Sequence, residues 1–351
     1  MKVVIDEKIP YLRDALLLMG CDVVALPGTE ICGAHLRDAE ALFVRTRTIC
    51  NANLLEGTAV RFIGTATIGY DHIDAAYCRA NGIEWTNAAG CNAGAVLQYV
   101  QSVIYSWARD NGKSLQGLTL GVVGVGEIGS RVARWAKGVG MTVSENDPPK
   151  ADAGSVGLVG LDVLAAKSDI ITFHPTLSRD GLHPSWHLAD ATFFASLEKC
   201  SLLINASRGA VVDNAALVDA IETGKVGCAA IDVWENEPDI NISLLNKVYI
   251  ATPHIAGYSA EGKINATQIV LDAFARFTGY AATLPTLRLP QPGEPLVQAL
   301  SEQDALLSIY SPLDDTALLR RNPADFEALR NNYPLRREPT AYEIVIKGEN
   351  V

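Results

Sequence analysis

Three closely spaced glycines constrain the fold of this chain more than any other feature of its sequence. The apolar run Leu118–Val123 leads directly into Gly124-Val-Gly126-Glu-Ile-Gly129, and a helical pattern follows from Ile128 to Lys137. Between a strand and a helix, the first glycine permits a tight turn, the second lets a pyrophosphate approach the backbone, and the third lets helix and strand pack closely. The N–H groups at the start of the helix would hold the phosphates. The pattern predicts a dinucleotide site with contacts at Gly124, Gly126, Ile128 and Gly129.

An acidic residue, Asp147, ends the next predicted strand at the distance expected of a ribose-binding carboxylate. It would accept hydrogen bonds from the adenosine ribose and repel a 2′-phosphate, which favours NAD over NADP. Lys150 lies nearby in the sequence and slightly weakens that preference. The alternative is that the glycines form a turn that serves packing alone.

Strand-like and helical segments alternate along most of the chain. The alternation predicts right-handed βαβ units, hence a parallel doubly wound sheet of the Rossmann type after a smaller α/β domain. A run of prolines from Pro285 to Pro295 predicts a linker, and the tail beyond it has mixed helix and strand character. The predicted strands are Lys2–Ile5, Ala41–Val44, Phe62–Ile63, Leu118–Val123, Met141–Ser144, Ile170–Phe173, Leu202–Asn205, Ala229–Val233 and Val248–Ala251.

Net charge and cysteine spacing argue against a nucleic-acid-binding, membrane-binding or disulfide-linked protein. A net charge of −11 disfavours binding to nucleic acid or an anionic membrane surface, because the long-range field repels both. The seven cysteines include no C-x-x-C pair, which indicates free thiols in a reducing cytoplasm. The uncharged stretch from Asn87 to Ala108 contains Asn92, Gln98 and Gln101, so it predicts a buried helix and not a membrane span.

Three residues with complementary chemistry follow predicted strands of the second domain. Because ligands of open α/β sheets bind at the carboxyl ends of strands, we expect Arg208, Glu237 and His254 to face one crevice. Imidazole can accept the hydroxyl proton of a 2-hydroxy acid, a carboxylate can stabilise the imidazolium, and a guanidinium can bind the substrate carboxylate. Taken singly, each could be a surface or structural residue. Together they predict oxidation of a 2-hydroxy acid by hydride transfer.

Two further groups of residues suggest ligands. Arg45-Thr46-Arg47-Thr48 is a basic, hydroxyl-rich turn that would suit a phosphate, unless it is only a solvated loop. Arg336 and Arg337 could contribute across a dimer interface. His183 and His187 have the spacing of a metal pair, but Pro184 breaks the helix that would align them, so we predict no metal.

Four motifs give the chain a family resemblance. The glycine turn, Asn205-Ala-Ser-Arg208-Gly209, Asp232-Val-Trp-Glu-Asn-Glu237-Pro238 and Pro253-His254-Ile-Ala-Gly257 resemble those of the D-isomer-specific 2-hydroxyacid dehydrogenases. The resemblance implies a Rossmann-type NAD domain inserted into a flavodoxin-like substrate domain, which closes over the cofactor. It also implies that Arg208, Glu237 and His254 are catalytic.

Further segments, including Asp6-Glu-Lys-Ile-Pro10, Gly64–His72 and Asn332–Glu338, are similar to one branch of that family. Its enzymes oxidise a phosphorylated hydroxy acid and have a small C-terminal α+β domain that supports a homodimer. This implies a substrate (lid) domain at 1–90 and 258–284, an NAD domain at 91–257 and a dimerisation domain at 285–351. It implies substrate contacts at Thr46, Thr67 and Tyr258, to which the basic turn adds Arg45 and Arg47. It also implies NAD contacts at Asp147, Asp232 and Gly257, and Ser207 is a further candidate for cofactor binding.

One departure from the family pattern concerns the cofactor. The family has His-Thr-Pro where this chain has His174-Pro175-Thr176, so the hydroxyl expected near the cofactor phosphate is displaced to Thr176. Two alternatives to the predicted activity stay open. One is another enzyme of the family, such as a 3-phosphoglycerate dehydrogenase. The other is an NADH-sensing binding protein without catalysis.

Overall fold

A computed structural model describes residues 1–282 and 286–347. Pro285, the first residue of the predicted linker, lies outside the described residues. The predicted boundary between the substrate domain, ending at 284, and the dimerisation domain, starting at 285, lies outside them as well. The strands are β1 Lys2–Asp6, β2 Asp22–Leu26, β3 Ala41–Val44, β4 Phe62–Thr65, β5 Glu84–Asn87, β6 Thr119–Val123, β7 Thr142–Asn146, β8 Ile170–Phe173, β9 Leu202–Asn205, β10 Ala229–Ile231, β11 Ile250–Ala251, β12 Leu296–Ala299 and β13 Glu343–Ile346.

The helices connect these strands in the alternating order that the sequence predicts. They are α1 Leu12–Leu18, α2 Gly33–Leu36, α3 Ala52–Leu55, α4 Ala75–Ala80, α5 Ala93–Asp110, α6 Glu127–Gly138, α7 Pro148–Asp152, α8 Leu161–Lys167, α9 Ala191–Ser196, α10 Asn214–Glu222, α11 Ile242–Lys247, α12 Ala260–Thr278, α13 Glu302–Ile309, α14 Pro312–Arg321 and α15 Phe326–Asn331.

The chain divides into two compact units, and the first comprises residues 1–92 and 259–291. Its five strands are all parallel and run in the order β2-β1-β3-β4-β5, which is the flavodoxin-like order. Apolar side chains bury both faces of this sheet, and Phe43, Phe62 and Phe274 form an aromatic cluster on one of them. The prediction of a parallel α/β fold is confirmed for this unit.

The second unit comprises residues 93–258 and 292–351. Its six parallel strands run in the order β11-β10-β9-β8-β6-β7. β6 therefore lies between β7 and β8, and the connections change direction there, which defines the topological switch point of a doubly wound sheet. The predicted Rossmann-type fold is confirmed.

The tail belongs to this second unit. Leu306 and Tyr310 join the core on one face of the sheet, and Leu319 and Phe326 join the core on the other. These side chains are buried in the cores of the second unit, which explains why residues from 292 onward group with that unit. The division at 285 and a separate dimerisation domain stay predictions.

The uncharged segment begins differently from the prediction. Glu84–Asn87 is the edge strand β5, and the helix α5 starts only at Ala93. From there the helix is buried along most of its length, with Gln98, Gln101 and Ser102 inside. Among the described residues, none of the helices combines the length and the apolar character needed to cross a membrane.

Candidate active site

Arg208, Glu237 and His254 line one cavity of about 290 Å³ in the second unit. Each follows a neighbouring strand of the sheet, β9, β10 or β11, so their positions at one end of the sheet follow from the topology. The structure therefore brings the three predicted residues together. The remaining lining residues are Leu177, Arg179, Gly209, Ala210, Trp234, Glu235 and Asn236.

Buried Asn205, the last residue of β9, holds the turn that carries Arg208. Its side-chain amide donates to the Arg208 carbonyl at 3.0 Å, and its Oδ1 accepts from the backbone N–H and the hydroxyl of Ser207. A Cβ at Gly209 would lie 1.9 Å from the Trp234 carbonyl oxygen, so only glycine allows this approach. The Arg208 side chain itself is exposed and can meet a ligand.

His254 and Glu237 form a hydrogen-bonded pair. Nδ1 of His254 lies 2.7 Å from Oε2 of Glu237, while Oε1 of Glu237 accepts from the Trp234 N–H at 2.9 Å. Burial raises the pKa of Glu237, but the hydrogen bonds and charge of His254, the Trp234 N–H and the charge of Arg330 together lower it below its ordinary value. Glu237 is therefore ionised at neutral pH, and Nε2 of His254 is the ring nitrogen left to exchange a proton with substrate.

Asp232 shapes the turn that carries His254. The Asp232 side chain is 1% exposed, and its carboxylate accepts from the Thr252 hydroxyl and from the N–H groups of Ile255 and Ala256. The His254 N–H donates to the Asp232 carbonyl, and His254 has a left-handed backbone with φ of 57°. Burial raises the pKa of Asp232, and these donors oppose the rise. The structure thus gives Asp232 a positioning role, and its predicted contact with NAD stays a proposal.

Arg336 reaches the same turn from the tail. It is 9% exposed, and its guanidinium donates to the carbonyls of Ile255, Ala256 and Ala95 and to the Gln98 side chain. The Tyr310 ring lies 4.3 Å from the guanidinium carbon. These four hydrogen bonds use most of the N–H donors of Arg336 inside its own chain, and its contribution across a dimer interface stays a prediction.

The glycine turn has the geometry that its spacing predicts. Gly124 has φ of +85°, and a Cβ there would lie 2.5 Å from the backbone nitrogen of Pro175, two residues after β8. A Cβ at Gly129 would lie 2.0 Å from the Gly124 carbonyl oxygen. Gly126 is different, because its Cβ would meet nothing within 4 Å. Packing therefore explains Gly124 and Gly129, whereas the space beside Gly126 suits a pyrophosphate.

The side chain of Asp147 stabilises the glycine turn by accepting hydrogen bonds. One carboxylate oxygen accepts from the Val125 N–H at 2.8 Å and the other from the Lys150 N–H at 3.1 Å. Lys150 in turn donates to the Val125 carbonyl. Each carboxylate oxygen has a second lone pair, so ribose hydroxyls can still donate to Asp147.

The other predicted cofactor contacts lie near these turns, with different degrees of access. Ile128 and Gly257 are partly buried, Ser207 is buried against Asn205, and Thr176 is exposed. Among the described residues, Nδ1 of His174 is buried without a hydrogen-bond partner, and burial lowers the pKa of His174 to about 3. This imidazole is therefore neutral beside the glycine turn.

Replacing Gly126 separates cofactor binding from packing. Because a methyl group fits there without a clash, we expect Gly126→Ala to keep the stability of the protein but weaken NAD binding about tenfold or more by obstructing the phosphates. Calorimetric titration with NAD and thermal unfolding would measure the two effects. Gly129→Ala is the contrasting variant, since it should lower stability as well. Unchanged NAD affinity in Gly126→Ala would contradict the role of this glycine.

In the first unit, the predicted phosphate turn is only partly available to a ligand. Arg45 pairs with the buried Asp6 at 3.1 Å, and the Thr48 hydroxyl donates to the Gly28 carbonyl. Thr46 and Arg47 are exposed. The Thr67 hydroxyl donates to the Gly69 carbonyl and lies 2.7 Å from the Thr65 hydroxyl, so it is left as an acceptor.

The two histidines considered as a metal pair have separate partners. His183 lies 2.7 Å from Asp152, while His187 lies 2.7 Å from Glu235 and stacks on Trp186. Within residues 1–282 and 286–347, no group of three or more His, Cys, Asp or Glu side chains is placed to hold a metal ion.

Two arginines near the site were missed in the sequence. Arg179 lines the cavity and lies over the Trp186 ring at 5.3 Å. It follows β8, so the strand-end argument that selected Arg208 could have selected it too. Arg330 lies 3.5 Å from Glu237 and comes from α15, which no local signal connects to the site.

Comparison with known proteins agrees with the fold. Residues 93–256 match the profile of the D-isomer specific 2-hydroxyacid dehydrogenase, NAD binding domain. A D-lactate dehydrogenase from Treponema pallidum is 27% identical with a TM-score of 0.63, covering 82% of this chain and all of that one. An NAD+-bound 3-phosphoglycerate dehydrogenase from Entamoeba histolytica has a TM-score of 0.66 at 22% identity, covering 83% of this chain and 99% of that one, and shows the same fold.

This chain belongs to the D-isomer-specific 2-hydroxyacid dehydrogenase family. Within it, the chain is similar to proteins named erythronate-4-phosphate dehydrogenase. The protein of that name from Bacteroides thetaiotaomicron is 47% identical over 346 residues, covering 98% of this chain and 99% of the relative. The one from Escherichia coli O157:H7 is 42% identical over 357 residues, covering 98% and 94%.

Proposed function

We propose that this protein oxidises 4-phospho-D-erythronate to 2-oxo-3-hydroxy-4-phosphobutanoate with NAD, as a step of pyridoxal 5′-phosphate biosynthesis. The observation that carries the proposal is the His254–Glu237 pair in one cavity with Arg208, on a sheet whose glycine turn suits a dinucleotide. The similarity to erythronate-4-phosphate dehydrogenases along nearly the whole chain supports the choice of substrate.

The chemistry assigns one task to each residue. His254 accepts the proton of the C2 hydroxyl at Nε2, since Nδ1 is held by Glu237. Glu237 fixes the tautomer of the ring and stabilises the imidazolium that forms. Arg208 binds the substrate carboxylate with its planar guanidinium. Bound NAD supplies the acceptor for the hydride that leaves C2.

The substrate phosphate requires local positive charge in a protein of net charge −11. Arg47 and Thr46 are exposed in the predicted phosphate turn, and we assign them to that group. Arg45 holds the turn by its pair with Asp6, so its contribution to binding is smaller. We further assign substrate contacts to Thr67, as an acceptor, and to Tyr258, whose ring packs on Tyr333.

The setting of the enzyme is part of the proposal. Cytoplasmic location accords with the free thiols of Cys21, Cys32, Cys50, Cys78, Cys200 and Cys228. A homodimer, with the tail as its interface, is the expected assembly of this branch of the family. The acidic net charge disfavours binding to nucleic acid or an anionic membrane surface.

A substrate panel tests the function. We expect NADH absorbance at 340 nm to rise fastest with 4-phospho-D-erythronate, more slowly with 3-phosphoglycerate, and more slowly again with D-lactate, which lacks a phosphate. NAD should be preferred to NADP because Asp147 repels a 2′-phosphate. A faster rate with 3-phosphoglycerate would reassign the substrate. NADH binding without turnover on any hydroxy acid would favour a sensing role instead.

A further inference from the structure

The C-terminal tail places a positive charge beside the carboxylate of the His254–Glu237 pair. Nη1 of Arg330 lies 3.5 Å from Oε2 of Glu237, the same oxygen that bonds Nδ1 of His254 at 2.7 Å. The Glu237 side chain is 16% exposed and the Arg330 side chain 33%, so solvent screens this pair only in part.

The position of Arg330 is built into the core. Arg330 lies on α15, and the same helix contributes Phe326, 1% exposed, to the core cluster that contains Trp234. Leu329 packs against that cluster as well. The Trp234 N–H donates to Glu237. Trp234 and the helix that carries Arg330 therefore both contact Glu237 from the same packed core.

We propose that Arg330 is a positioning residue that sets the pH range in which His254 is available as a base. Its positive charge partly neutralises the carboxylate of Glu237 and thereby weakens the attraction between that carboxylate and a protonated imidazole. His254 then loses its proton at a lower pH than it would beside Glu237 alone. Oxidation requires the unprotonated ring, so the charge extends activity toward lower pH.

Other charged groups also face the pair, and the proposal takes them into account. Asp232 lies beneath the His254 turn and favours the protonated ring, as does Glu235 at the cavity wall. Arg208 and Arg179 line the cavity and oppose them. In the structure, Arg330 differs from these four in being ion-paired with the carboxylate that holds the ring.

A titration without substrate tests the proposal directly. The chain has six histidines, so Cε1–H signals of ¹³C-histidine-labelled protein can be followed with pH, and His254→Asn assigns the signal of interest. We expect Arg330→Gln to raise the midpoint of the His254 signal by about half a pH unit, the size of a partly screened ion pair. Arg330→Lys should stay near the wild type, and Arg330→Glu should exceed Arg330→Gln.

Arg321→Gln is the matched control, because Arg321 is an exposed arginine at the end of α14 in the same tail. It should leave the midpoint unchanged. Equal midpoints in wild type, Arg330→Gln and Arg330→Glu would overturn the proposal. A fall in thermal stability without a shift of the midpoint would reduce Arg330 to a structural residue and would equally overturn it.

The kinetic readout rests on the proposed function, and the titration does not. In the oxidative direction, the acid limb of kcat/KM for Arg330→Gln should move to higher pH by the same half unit or so. A shifted titration with no turnover on hydroxy acids would refute the function and keep the role of Arg330. Normal turnover with an unshifted titration would do the reverse.

Discussion

Replacing His254 by alanine should reduce turnover by about a hundredfold or more, because the variant loses the base to which we assign the hydroxyl proton. The imidazole is held by Glu237 and lines the same cavity as Arg208. The measurement is the initial rate of NADH formation with saturating substrate and NAD. NAD affinity should be nearly unchanged, since the glycine turn is not altered.

His183→Ala is the control for this substitution. His183 also pairs with a carboxylate at 2.7 Å, that of Asp152, but it lies outside the cavity. It should keep near-normal turnover. If His254→Ala kept comparable activity, the assignment of the base would be wrong, and the cavity would need another proton acceptor.

Replacing Arg336 by methionine should cost about 3 kcal/mol or more of unfolding free energy, because buried acceptors lose a charged donor that water cannot replace. The acceptors are the carbonyls of Ala95, Ile255 and Ala256 and the side chain of Gln98. Turnover should fall as well, since two of those carbonyls follow His254 directly in the chain. Urea unfolding followed by tryptophan fluorescence would measure the loss.

Arg321→Met provides the comparison, because it removes the same charge from an exposed site of the tail. Its effect should stay below about 0.5 kcal/mol, as is usual for surface substitutions. A loss below 1 kcal/mol in Arg336→Met, similar to that of the control, would show that the buried network adds little to stability.

Local signals in the sequence predicted the central strands better than the edge strands. The bounds of Ala41–Val44, Ile170–Phe173 and Leu202–Asn205 agree with the prediction, and all three strands are fully buried. The strands Asp22–Leu26 and Glu84–Asn87 were not predicted. Both lie at edges of the first sheet and are partly exposed. Glu84–Asn87 lacks a continuous apolar run, whereas Val23–Leu26 is an apolar run that the prediction missed.

The tail shows where sequence reasoning fails for a physical reason. Arg336 contacts Gln98 across 238 positions of the chain, and Arg330 reaches Glu237. Neither contact has a local pattern, because both depend on how α14 and α15 pack on the sheet of the second unit. The local sequence around an arginine in a polar tail does not indicate whether its side chain is solvated or buried.

By itself, the sequence determined the glycine turn, the parallel α/β class and the strand ends that carry Arg208, Glu237 and His254. These features follow from spacing, periodicity and the conformational freedom of glycine, which are properties of short segments. Only the tertiary structure decided that Asp232 and Arg336 hold the His254 turn and that Arg330 forms an ion pair with Glu237. Those contacts join residues far apart in the chain, and packing alone brings them within hydrogen-bonding or ion-pairing distance.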